Sequence, residues 1–312
     1  MRRHWWRGLL LGVSMVLLLP ALAYAQGEVL YGCNGGGGQE GGNPSNLYVI
    51  DPATGAATLV GPMGMTSCSG LAFAANGTLY AVGHDPGNPN DWFSLFVVNP
   101  ATGAATPIGQ SHHSFNHSPD ESRIADLSFR SDGRLFGYLE SNDGLGYLNT
   151  GTGAVTELGP TNVSCSGNGI AFSAADVLFH GNQDALHTLN QTTGNATWVA
   201  DHSWPPFTVE ECPVRGQKDG MRINALDFSS GGVLYGSLNC AVGGSGPNYL
   251  VTVNTANAVV TEVGATVDGL DGIAFLPLEE EFVPEPGTVL LLGSGLMGLA
   301  GYAGLRWRSR EK

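Results

Sequence analysis

Positive charge is what this chain has least of. Of its 312 residues thirteen are Lys or Arg, against twenty-seven Asp or Glu. Arg2, Arg3 and Arg7 open the chain, and Arg306, Arg308, Arg310 and Lys312 close it. The stretch between keeps only Arg123, Arg130, Arg134, Arg215, Lys218 and Arg222, six cations against the twenty-five acids left when Glu285 and Glu311 are set aside, or about −19. Phosphate binding needs clustered Lys and Arg, so nucleic acid and anionic membrane surfaces are poor partners. Divalent cations, neutral glycans and basic proteins fit better, unless the acidity serves only solubility. Linear catalytic motifs are missing as well. The chain has no Gly-x-Ser-x-Gly elbow, no His-Glu-x-x-His, and no carboxylate pair that the sequence places face to face. It has no Cys-x-x-Cys, which argues against a thiolate zinc site. The Gly35–Gly38 run precedes no Lys-Ser/Thr and opens no helix, so it is not a phosphate loop.

Long apolar runs occur only at the ends. Residues 1–25 combine the three arginines, an apolar stretch from Leu9 to Leu22 and the small residues Ala23 and Ala25, the pattern of a secretory signal peptide cleaved after Ala25 and handled by the Sec translocon. At the other end, an acidic and proline-containing linker over 279–287 holds Val283, Pro284, Glu285 and Pro286. An eighteen-residue apolar segment from Thr288 to Leu305 and the basic tail 306–312 follow. The apolar segment is just long enough to cross a hydrocarbon layer as a helix, with Arg306, Arg308, Arg310 and Lys312 held on the cytoplasmic side. The prolines stop a helix from running upstream and leave extended backbone for a protease. This tripartite tail resembles the PEP-CTERM sorting signal. The resemblance implies a Gram-negative exporter, recognition by an exosortase, an inner-membrane intermediate and delivery to the cell surface or beyond; the alternative is an anchor that is never cleaved.

The domain between, residues 26–278, repeats itself. Gly70-Leu71-Ala72-Phe73, Asp126-Leu127-Ser128-Phe129, Gly169-Ile170-Ala171-Phe172, Ala225-Leu226-Asp227-Phe228 and Gly272-Ile273-Ala274-Phe275 share one strand pattern. Four are followed after a polar turn by Leu79-Tyr80, Leu135-Phe136, Leu178-Phe179 and Leu234-Tyr235. Third strands end in turns such as Asp51-Pro52-Ala53-Thr54-Gly55, and fourth strands end near Gly61, Gly109, Gly159, Ala200 and Gly264. Four antiparallel strands recurring about every fifty residues predict propeller blades. The last Phe strand has no successor and the mature chain opens on an orphan, Val29-Leu30-Tyr31-Gly32, so joining the ends predicts an all-β, five-bladed β-propeller with one blade closed by both termini. An open sandwich or solenoid would leave those truncated repeats unexplained. The segment from Ala185 to Ala200, with His187 and Asn195 at positions apolar or small in its neighbours, is the weakest repeat.

Loops after second and fourth strands are long and dissimilar, and they share one face, which is therefore the candidate binding face. It gathers His84, Asp85, Asp91, Trp92 and Trp204, with Asp126, Asp227, Asp268 and Asp271 at the channel mouth. Asp126 and Asp227 stand where the repeat has small residues, and Arg123 and Arg222 precede them as charge partners. All five cysteines fall on this face. Blade neighbourhood pairs Cys212 with Cys240 and Cys33 with Cys68, one of fifteen ways to make two bridges, and leaves Cys165 free. No metal or other cofactor is required, although Asp85, Asn88, Asn90 and Asp91 offer oxygen ligands to calcium. Two functions follow. The first is a non-catalytic binding module with a polysaccharide or protein partner and aromatic rings for sugar stacking; the repeats resemble those of many exported propellers, and the PEP-CTERM resemblance implies a biofilm or exopolysaccharide matrix. The second is an extracellular hydrolase or lyase acting on a polysaccharide or lactone, with Asp126, Asp227, Asp268 and Asp271 as its acids. The missing motifs favour the binder. An enzyme requires a deep pocket with two convergent, unpaired carboxylates; a binder requires a shallow face rimmed with aromatics.

Overall fold

Turn chemistry sets the strand boundaries. At the Asp51 turn the side-chain Oδ1 accepts the Ala53 N–H at 2.9 Å and the Gly55 N–H reaches the Asp51 carbonyl at 2.8 Å. Gly55 holds φ at 76°, which a β-carbon would strain. The same pair of contacts recurs at Asn99, Asn149, Asn190 and Asn254, so five separate turns are built one way.

The computed structural model describes residues 28–35, 44–88, 93–115, 122–140, 142–163, 166–208, 210–214, 220–240 and 246–278. All of its regular elements are strands, and no helix occurs among the described residues. The chain opens with β1 (Leu30–Asn34), β2 (Pro44–Ile50), β3 (Ala57–Phe73), β4 (Leu79–His84), β5 (Ser94–Val98) and β6 (Ala105–Gln110). Three antiparallel meanders follow: β7 (Ile124–Phe129), β8 (Leu135–Leu139), β9 (Gly144–Leu148) and β10 (Val155–Pro160); β11 (Gly167–Phe172), β12 (Leu178–Asn182), β13 (Ala185–Leu189) and β14 (Ala196–Asp201); β15 (Arg222–Phe228), β16 (Leu234–Asn239), β17 (Asn248–Val253) and β18 (Val260–Ala265). The last strand, β19 (Leu270–Phe275), pairs antiparallel with β1, setting Phe275 opposite Leu30. The chain ends thus meet in one sheet, of order β19-β1-β2-β3-β4-β5-β6.

That seven-stranded sheet is two meanders sharing β3. Residues Ala57–Thr66 pair with β2, while Gly70–Phe73 pair with β4 across an irregular register at Thr66/Gly70. A single strand of seventeen residues therefore runs where the sequence pattern implied two strands and a loop. The weak repeat is also regular, with His187 opposite His180 on β12 and opposite Trp198 on β14. The end of β3 is followed around the axis by β7, β11, β15 and β19, which returns to β3. Antiparallel meanders radiating from a closed ring of inner strands make a β-propeller.

The motif residues meet at the seams between meanders. Phe129 packs on Tyr80 at 5.5 Å between ring centroids, Phe172 on Phe136 at 5.1 Å, Phe228 on Phe179 at 5.7 Å, Phe275 on Tyr235 at 5.2 Å and Phe73 on Tyr31 at 5.4 Å. Edge and tilted pairs of this kind contribute about 0.5–1.5 kcal/mol each beyond the area they bury. The perimeter repeats too. A Cβ on Gly264 would collide with the Thr54 carbonyl oxygen of the turn on the next meander, as would one on Gly61 with Thr102, Gly109 with Thr152 and Gly159 with Thr193. The glycines noted at the ends of fourth strands are there because a neighbour's turn rests on them. Two disulfides, Cys33–Cys68 and Cys212–Cys240, close loops spanning 35 and 28 residues, worth about 3–4 kcal/mol each in the chain-entropy account.

Candidate functional site

Inner strands leave one backbone edge unpaired, and those N–H groups point at the axis, where side chains must satisfy them. Asp126, fully buried, does most of this: its Oδ1 accepts Leu127 N–H at 2.9 Å, and its Oδ2 accepts Ile170 N–H at 2.9 Å and Leu226 N–H at 3.0 Å. One carboxyl group so joins β7, β11 and β15. Ser128 Oγ accepts Phe172 N–H at 2.9 Å. Asp227 accepts Phe228 N–H at 2.9 Å and Phe275 N–H at 2.7 Å, tying β15 to β19. The charge pairing expected with Arg123 and Arg222 is replaced by these backbone bonds, and Arg123 forms its ion pair with Glu140 at 3.7 Å. Burial drives the Asp126 pKa well above the ordinary carboxylate range against the pull of its three N–H donors. Burial likewise lifts Asp227 to about 7, with the Phe275 and Phe228 N–H groups opposing and Glu28 adding to the rise.

The channel has two unlike mouths. Turns following the Phe strands ring the first, a cavity of about 380 Å³ floored by Ser128 and Asp227 and walled by the ends of the inner strands. Asp227 therefore faces the short-turn end and not the long-loop face to which the sequence reading assigned it. Asp126 lies two residues further in, within the wall.

At the second mouth, under the long loops, the residue just before each Phe-strand motif is Ser69, Ala125, Asn168, Asn224 or Asp271; Ala125 and Asn168 are buried, and Ser69, Asn224 and Asp271 are half-buried. A register irregularity falls beside this slot in every inner strand, and the extra residue is what such a bulge re-aims. Ser69 Oγ donates to the Ile124 carbonyl, and Asn224 Nδ2 donates to Asp271 Oδ1. Burial raises Asp271 to about 7; the Asn224 bond opposes this, Glu140 adds to it, and Arg123 and Arg222 pull it back. His113 closes the group by donating from Nε2 to the Arg123 carbonyl at 2.8 Å, and its pKa is lowered chiefly by burial. Asn224 and Glu140 were not among the sequence candidates. Aligning the slot before the repeat would have shown Asn224 and Asp271 as equivalent.

The other candidates are scattered. His84 stands edge-on to Phe93 at 4.9 Å, and Asp85 Oδ1 accepts the Gly87 N–H at 2.9 Å, which makes it a turn residue. Trp204 lies against His202 at 4.7 Å and packs on the core around Phe207 and Tyr249. Asp268 is exposed in the turn entering β19. Asp91, Trp92 and Cys165 lie outside the described residues, as do the signal peptide, the sorting motif Val283–Pro286 and the basic tail. Among the described residues no group of three His, Cys, Asp or Glu is placed to hold a metal ion. Sequence reasoning passed over one feature: His180 is fully buried, stacked on Tyr138 at 4.6 Å and set 5.7 Å from His187, with its Nε2 facing Asn168 Oδ1 at 3.2 Å.

No curated protein matches the chain. Among solved structures it is similar to a chain of a nidogen/laminin complex, 12% identical over 80% of this chain and 98% of that one, with a TM-score of 0.46. It is also similar to a gluconolactonase from Xanthomonas campestris, 13% identical over 73% and 74% with a TM-score of 0.42. A third is a putative 6-phosphogluconolactonase from Bacteroides fragilis, 12% identical over 81% and 99% with a TM-score of 0.42. Likeness at this level identifies neither ligand nor activity. Residues 282–310 match the PEP-CTERM protein-sorting motif. The chain is a β-propeller that carries a PEP-CTERM sorting motif at its C-terminus.

Proposed function

We propose that this protein is an exported, non-catalytic propeller of five blades that binds an extracellular polysaccharide in a surface or biofilm matrix, after sorting by an exosortase acting on its tail. The motif at 282–310 implies exosortase-mediated sorting and a membrane-anchored intermediate before the surface. One observation carries the binding reading: Asp126 and Asp227, two of the four carboxylates on which the enzyme reading relies, each accept backbone N–H groups from neighbouring strands and lie at different depths. They form no convergent acid–base pair. The long-loop mouth instead offers the Asn224–Asp271 pair beside Arg123 and Glu140, a mixed donor and acceptor surface suited to sugar hydroxyls. The count of five blades is supported by the five aromatic seams and by β1–β19 pairing. Removing residues 26–61 should therefore abolish cooperative unfolding, and a truncated domain that still unfolds in one transition would defeat the count.

The test of binding is retention of the purified domain on the producing organism's extracellular polysaccharide. Asn224→Ala with Asp271→Ala should lose retention while melting as the parent does; retention unchanged in the double variant would reject this mouth as the site. A second reading rests on Asp271, whose pKa near 7 suits a general acid or base in a hydrolase or lyase. Turnover of a lactone or of the polysaccharide, lost in Asp271→Asn, would replace the binder with that enzyme.

A further inference from the structure

The point where the chain leaves the ring has a geometric consequence. β19 is locked in place by β1, and the Leu276 N–H continues the pairing to the Val29 carbonyl at 2.8 Å. The chain then passes through Leu276, Pro277 and Leu278, all of which line the short-turn cavity. Glu28 lines it too, so both ends of the domain lie on this face. From Leu278 to Thr288, where the apolar run begins, the sequence provides ten peptide steps. Fully extended, these reach about 35 Å at most, whatever conformation they adopt.

We infer that the uncleaved protein stands with its short-turn face toward the bilayer and its long-loop face pointing away from it. The opposite posture would need the link to run outward across four strands, about 20 Å at about 4.8 Å per strand, and then down the length of a six-residue strand, about 20 Å more, before any loop is counted. The tether is too short for that path. This inference rests on the sorting reading of the tail, and it deepens that reading by assigning the surface that meets the membrane and its processing enzyme. The turns on that surface are mostly polar, as in Asn76-Gly77, Ser131-Asp132-Gly133 and Ser229-Ser230-Gly231-Gly232, with Val177, Val233 and Leu278 exposed among them. The Asn224–Asp271 mouth stays open to extracellular ligands while the tail is still attached, so binding need not await cleavage.

The test uses the full chain reconstituted in vesicles that carry an acceptor dye on outer-leaflet headgroups, with a donor on one introduced thiol in a Cys165→Ser background. Ala174→Cys and Ala75→Cys mark the short-turn face, where both residues are exposed, and His112→Cys marks the long-loop face. Energy transfer should be several-fold stronger from positions 174 and 75 than from position 112. Equal transfer, stronger transfer from position 112, or failure to float with the vesicles would overturn the inference. A twenty-residue Gly/Ser insertion after Leu278 should erase the difference; persistence would show that tether length is not its cause and would also overturn it. Polysaccharide retention is scored separately, so a failed binding reading leaves this result intact.

Discussion

Replacing Asp126 tests how the ring is held together. In Asp126→Ala, three buried backbone N–H groups on three strands lose their acceptor. An unsatisfied buried donor costs about 1–3 kcal/mol, and allowing for partial relaxation the sum is about 4 kcal/mol. For a domain of this size that lowers Tm by roughly 10 °C. Asp126→Asn is the informative companion. Its single carbonyl can keep the two bonds that Oδ2 makes to Ile170 and Leu226, but it turns an amide toward Leu127 N–H, so it should cost about 1 kcal/mol. The pH dependence has a definite sign. The folded pKa of Asp126 lies above its ordinary value of 3.8, so the folded state holds the proton more tightly, and wild-type stability falls as pH rises from about 4 toward that folded pKa. The Asn variant cannot lose a proton there, so its deficit should shrink as pH rises. Urea unfolding with disulfides intact, at pH 5 and pH 8, gives both quantities. An Ala variant within 1 kcal/mol of wild type, or an Asn variant as damaged as Ala, would refute the account of Asp126 as the tie between β7, β11 and β15.

Other outcomes follow from the same geometry. Gly264→Ala should destabilise by about 1–3 kcal/mol, because its Cβ meets the Thr54 carbonyl oxygen at the closing seam, whereas Gly77→Ala, with open space around it, should show only the cost of its positive φ; equal losses in thermal melts would contradict the perimeter packing. Cys33→Ser should cost about 3–4 kcal/mol in urea and leave Cys212–Cys240 intact by mass mapping. Burial holds His180 near pKa 3 and His202 near 4 against an ordinary 6.5, so the unfolded chain protonates first; the stability they contribute is complete above pH 6.5 and lost as pH falls toward 4 and then 3. His180→Gln should flatten that acid limb, and an unchanged limb would exclude His180 as its source. Calcium should leave Tm unmoved, and a rise on addition reversed by chelation would assign a cation to the Asp85 loop.

Local chemistry along the chain specifies the strand-and-turn grammar and the sorting motif. Asx-initiated turns with glycine at positive φ are local, so the repeat announces its hairpins wherever it stands, and the sorting tail is a linear signal read in chain order. The pairing of Cys33 with Cys68 and Cys212 with Cys240 followed from neighbourhood in the repeat. Tertiary structure alone decided what faces what. The Phe of one meander meets the Tyr or Phe of the meander before it, which requires the ring to close. Asp126 and Asp227 looked alike as exceptions to a small-residue rule, yet they sit at different depths, because the motif places them two residues apart on one strand face. Asp126 has its role only because unpaired N–H groups from three strands converge on it, and Asn224 meets Asp271 only because β15 and β19 are neighbours in the ring. Such contacts join residues tens to a hundred positions apart, and no local pattern encodes the partner across that distance.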